Sequence, residues 1–114
     1  MMAFSELRLK QSGFARVVTW LGRSGRSYGL AGESLDRFAM TENDLYLIAK
    51  GGNALWVGST HDLVGDPLSR TRFRLALDCA DRVFRLVTPS ADSERLSTIW
   101  DLEGAEPVQE RSAA

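Results

Sequence analysis

The stretch DLYLIAKGGNALWVGST, residues 44–60, sets the tightest limit on the fold. Two apolar runs, Leu45–Ala49 and Ala54–Val57, flank a short glycine-containing turn, and that spacing predicts an antiparallel hairpin. Such a hairpin is the middle of a small sheet, and the other residues build around it. Upstream, Phe14–Leu21 is rich in β-branched and aromatic side chains and runs into GRSGRS, a strand followed by a turn. YGLAGESLDRFAM then returns as a second, irregular strand in which Gly29 and Gly32 suggest a bend or bulge. Thr41–Asn43 read as a turn.

The clearest helix begins at Asp66. Its side chain is placed to cap the helix, and Pro67 occupies the first helical position, where a missing N–H costs nothing. Leu68, Leu75, Ala76, Cys79 and Val83 recur at helical spacing as one apolar stripe, and Phe73, Leu77, Ala80 and Phe84 form a second beside it. Asp78 and Arg82, and Asp81 and Arg85, are acid-before-base pairs in the orientation that favours a helix. The helix must end before Pro89, and VFRLVT begins a strand instead if the break falls near Asp81. RLSTIWDL, residues 95–102, has strand-like content that closes the sheet, and residues 104–114 read as a polar, disordered tail. The expectation is an α+β fold, an antiparallel sheet of about five strands with one principal helix packed on one face, spanning residues 1–103.

The chain has 114 residues, enough for one domain with one core. Its hydrophobic share of 44% and charged share of 25% are those of an ordinary folded protein. No window approaches the length of a membrane helix, and MMAFSELRLK lacks the apolar core of a secretory signal, so the expected address is the cytoplasm. One cysteine, Cys79, and one histidine, His61, leave no disulfide and no thiolate zinc set. Cys79, inside an apolar stripe, reads as a buried small hydrophobe. The charge is divided along the chain. Up to Leu30, Arg8, Lys10, Arg16, Arg23 and Arg26 face only Glu6, whereas from Ala31 to Asp66 acids outnumber Arg37 and Lys50. Such division helps set how segments or copies associate.

DLY at residues 44–46, WVG at 56–58 and the arginine-bearing helix that follows resemble the opening of a GIY-YIG nuclease domain over residues 44–75. The resemblance implies Tyr46 and Arg70, or Arg74, as catalytic residues, with Trp56 in place of the second tyrosine. It also implies Glu94 or Glu103 as ligand to a divalent metal such as Mg²⁺, and DNA as substrate. In that chemistry a tyrosine hydroxyl helps activate water while arginine and metal offset charge growing on phosphate. Trp56 departs from the pattern, since an indole only donates a hydrogen bond. DLY also lacks the leading glycine.

Other groups invite a binding reading. Arg70, Arg72 and Arg74 lie in the first turns of the helix, where its dipole disfavours positive charge, so an anion there would be welcome unless Asp62 and Asp66 already neutralise them. GRSGRSYG, with Arg23 and Arg26, superficially looks like a phosphate-binding loop but lacks the Walker lysine-serine ending. His61 beside Asp62, Ser59 and Thr60 reads as a turn rather than a catalytic set. Trp20, Trp56 and Trp100 fall on three expected strands, and their indole N–H groups suit a core edge or an interface. The leading expectation is a non-catalytic module that binds another protein or itself, without a cofactor, through an open sheet face or edge strand. A GIY-YIG-like nuclease, or an inactive DNA-binding relative, is the alternative.

Overall fold

A computed structural model describes residues 16–87 and 92–108. Phe14, the basic Arg8 and Lys10, Pro89 and residues 109–114 lie outside the described residues. Six strands form one antiparallel sheet: β1 Val17–Leu21, β2 Ser27–Glu33, β3 Tyr46–Lys50, β4 Asn53–Gly58, β5 Arg82–Leu86 and β6 Glu106–Pro107. Their order across the sheet is β4-β3-β5-β2-β1-β6, curled into a half-barrel. The curl brings its ends together: a Cβ on Gly52, in the β3–β4 turn, would sit 3.4 Å from Cδ of Pro107 on β6. Glu106 and Pro107, expected to lie in a tail of residues 104–114, therefore extend the sheet. Among the described residues three α-helices complete the fold, α1 Thr60–Gly65, α2 Pro67–Cys79 and α3 Arg95–Glu103, the last preceded by a 3-10 turn, Asp92–Glu94.

The hairpin of residues 46–58 forms as its apolar runs require. Lys50 pairs with Asn53 across Gly51 and Gly52, and Gly51 takes a positive φ of 59°, where a side chain would be strained. β3 reads YLIA without alternation because the sheet buries both its faces. On one face Tyr46, Ile48, Trp56 and Val83 pack with Ala76, Phe73 and Leu77 of α2. On the other, the inside of the curl, Trp20, Leu30, Leu47, Val57 and Phe84 pack with Ile99 and Leu102 of α3. Helices thus cover both faces rather than one. The register shift that the glycines of β2 suggested falls instead in β4, where Leu55 is the extra residue between the Ile48–Trp56 and Ala49–Ala54 pairs.

Two further expectations give way. α2 stops at Cys79, and Val83 and Phe84 belong to β5, not to its stripes. Asp81 ends the helix by turning to the hairpin: its N–H donates to the Ala49 carbonyl at 3.0 Å, and its carboxylate accepts from the N–H of Gly51 at 3.1 Å. Arg85 accordingly pairs with Glu33 of β2 at 3.1 Å and not with Asp81. RLSTIWDL is helical: Thr98, Ile99, Asp101 and Leu102 are buried at helical spacing, and Ile99 and Leu102 fill the curl. No helix among the described residues is long and apolar enough to cross a membrane.

Candidate binding cleft at the edge of the sheet

β4 ends the sheet, and among the described residues no strand pairs with its outer side. The edge is the floor of a cleft of about 350 Å³ between helices from opposite faces. Ser69 and Arg72 of α2 form one wall, and Leu96, Ile99 and Glu103 of α3 form the other. A second hollow of about 300 Å³ adjoins it through Leu55 and Arg72 and is lined otherwise by Leu75, Ala76 and Cys79. The bulge exposes Leu55 in both hollows, and Leu75 and Leu96 are 60% and 69% exposed beside it.

Local sequence explains how the walls are held. Asp62 Oδ2 accepts from the N–H and Oγ–H of Ser59, which anchors the first turn of α1 to the end of β4. Both Asp62 oxygens also lie 2.8 Å from Nη1 of Arg95, tying α1 to the start of α3. Burial works against the charged form of Asp62, yet the Arg95 guanidinium and the Ser59 bonds hold its carboxyl below the usual range. Asp66 ends α1 and caps α2, accepting from the Leu68 N–H at 3.0 Å ahead of Pro67, as expected. Trp56 is buried with its Nε1–H donating to Ser69 Oγ at 3.1 Å and its ring edge-on to Phe73 at 4.8 Å. The charges of Arg72 and Glu103 have no hydrogen-bond or ion-pair partner among the described residues.

The residues of the GIY-YIG resemblance are placed as follows. Tyr46 and Trp56 share the cluster beneath α2. The Tyr46 hydroxyl is engaged by the loop before β3, accepting from the Thr41 N–H at 3.0 Å. The guanidinium of Arg70 donates to the carbonyls of Leu63 and Val64, at 2.8 and 3.4 Å, and so closes the C-terminal end of α1. Arg74 is exposed on α2. Glu94 lies just before α3 and Glu103 is its last residue. Among the described residues no three His, Cys, Asp or Glu are grouped to hold a metal.

The glycine- and serine-rich loop of residues 22–26 holds an anion of the chain's own. Asp101 of α3 accepts from Ser24 N–H at 2.7 Å, Ser24 Oγ–H at 2.8 Å and Tyr28 O–H at 2.7 Å. Burial opposes the charged form, but these three bonds keep the Asp101 carboxyl below its ordinary range. Burial and the neighbouring carboxylate push the Tyr28 hydroxyl up to about 12. Glycine is required at position 22, where a Cβ would fall 2.5 Å from Asp101 Cγ. Arg23 donates from Nε to the Trp100 carbonyl at 2.8 Å and lies 4.7 Å over its ring, and Arg26 lies 5.5 Å over Tyr28. Trp100 is therefore a half-exposed helix residue, whereas Trp20 and Trp56 are core. Cys79, expected in the core, is exposed because Leu68, Leu75 and Cys79 of the first stripe face outward, while Ala76 alone of its helical members packs on the sheet.

Comparison with protein-family models, curated proteins and solved structures finds no match for this chain. The cleft was not legible as a unit, because its walls come from segments some thirty residues apart and one of them reads locally as a strand.

Proposed function

We propose that this chain is a polypeptide-binding module that takes up an extended segment of a partner protein along the outer edge of β4. The observation that carries this reading is a strand edge that no other strand among the described residues pairs with, lying between two helices with aliphatic side chains exposed on either side. Such an edge presents main-chain donors and acceptors for strand addition, and the pockets beside it discriminate among side chains. Folded proteins commonly cover or blunt an edge of this length. Here the other edge is the two-residue β6, and in β4 it is Asn53, Ala54 and Leu55 that stand open, while Trp56, Val57 and Gly58 are buried.

The test is an NMR titration of isotopically labelled protein with a library of blocked eight-residue peptides of alternating apolar and polar residues. Binders should shift the backbone amides of residues 54–58 and protect them from solvent exchange. Leu55→Asp should weaken them at least tenfold while the spectrum stays dispersed. Binding confined to other surfaces, or none at millimolar peptide, would overturn the reading.

A further inference from the structure

Resting on that strand-addition reading, we infer that the segment taken up carries opposite charges on its two faces: a carboxylate toward α2 with an aliphatic side chain beside it, and a basic side chain toward α3.

Successive side chains of any strand point to opposite faces of its sheet. β4 itself does so, with Trp56 in the cluster under α2 and Val57 in the cluster under α3. A strand laid beside it sends alternate side chains toward the two walls. One wall offers the Arg72 guanidinium and the other the Glu103 carboxylate, each without a charged partner among the described residues. The other two acids of the cleft are occupied, Asp62 by Arg95 and Asp66 by the first turn of α2. Arg72 suits a carboxylate, which its planar fork binds through two parallel bonds. The hollow formed by Leu55, Leu75, Ala76 and Cys79 takes an aliphatic side chain.

This arrangement favours a foreign segment over a second copy. A two-fold axis joining two β4 edges into one sheet would set α2 beside α2 and α3 beside α3. Arg72 would then approach its own mate, and Glu103 likewise. A lone strand brings no helices of its own and can meet both charges with opposites.

The test uses four blocked octapeptides of one alternating valine-rich sequence: one with Glu on one face and Lys on the other, one with Glu alone, one with Lys alone, and one with neutral glutamines. Titrations are run at near-physiological salt against the wild-type chain and against Arg72→Glu and Glu103→Lys, whose exposed positions leave the fold intact. Each matched charge should tighten binding roughly two- to fivefold, the range of exposed ion pairs. Arg72→Glu should weaken the Glu-only peptide and strengthen the Lys-only one, and Glu103→Lys should do the reverse. Equal binding of all four at the β4 amides would overturn the charge assignment and leave strand addition standing. If no peptide moves those amides, the strand-addition reading falls as well. A dimer seen by sedimentation and lost in Leu55→Asp would give the edge to a second copy and overturn the inference.

Discussion

At the scale of single residues, Asp101 connects the most. Its two oxygens accept bonds from Ser24 and Tyr28, joining α3 to the β1–β2 hairpin across more than seventy residues of chain. Asp101→Asn keeps the shape but replaces an acceptor oxygen with a donor facing other donors. It should cost about 2 kcal/mol in urea unfolding, the range for an unsatisfied buried polar group. The linked pH dependence has two arms. Asp101 and Asp62 have folded values below their unfolded ones, so their contribution is present above the ordinary carboxylate range and is lost as pH falls through the folded values. Tyr28 has a folded value of about 12 against 10.0, so its contribution is present below pH 10 and is lost as pH rises toward 12. Melting temperature against pH should fall in both windows, and Tyr28→Phe should remove the alkaline arm.

At the scale of elements, α2 divides its residues between two jobs. Phe73, Ala76 and Leu77 face the sheet, and Leu68, Leu75 and Cys79 face outward. Phe73→Ala should therefore destabilise the fold by about 2–3 kcal/mol, as expected for a partly buried aromatic. Leu75→Ser should change stability by no more than about 0.5 kcal/mol. Equal losses in chemical denaturation would mean that the outward stripe is also core. The sequence showed two stripes, but the face that turns inward joins Ala76 of the first to Phe73 and Leu77 of the second. That choice depends on Asp66 and Pro67 setting where the helix begins and on the sheet it meets. Residues 95–102 form a helix against their local preference for a related reason. Thr98, Ile99 and Trp100 favour strands, but the preference is about 1 kcal/mol at most and yields to packing. The spacing of Ile99 and Leu102, three apart and followed by Gly104, was the available helical signal.

At the scale of the whole molecule, the sheet curls until the β3–β4 turn reaches Pro107, and α3 fills the inside of the curve. Trp20 and Trp56 are enclosed by this arrangement, and Trp100 is left 56% exposed under the Arg23 guanidinium. Acrylamide should quench one component of the tryptophan emission readily and two poorly, and Trp100→Phe should remove the accessible component alone. Local patterns in the sequence determined the central hairpin, the capped start of α2, β1 and the α+β class, because each depends on neighbours within a few residues: short apolar runs about a glycine turn, β-branched content, an Asp-Pro cap. Only the tertiary structure decided that residues 95–103 are helical, that an internal carboxylate fills the loop of residues 22–26, and that β4 is the edge strand lying between two helices. Those outcomes depend on contacts between segments distant in the chain, whose packing and hydrogen bonds outweigh the small local preferences from which a sequence is read.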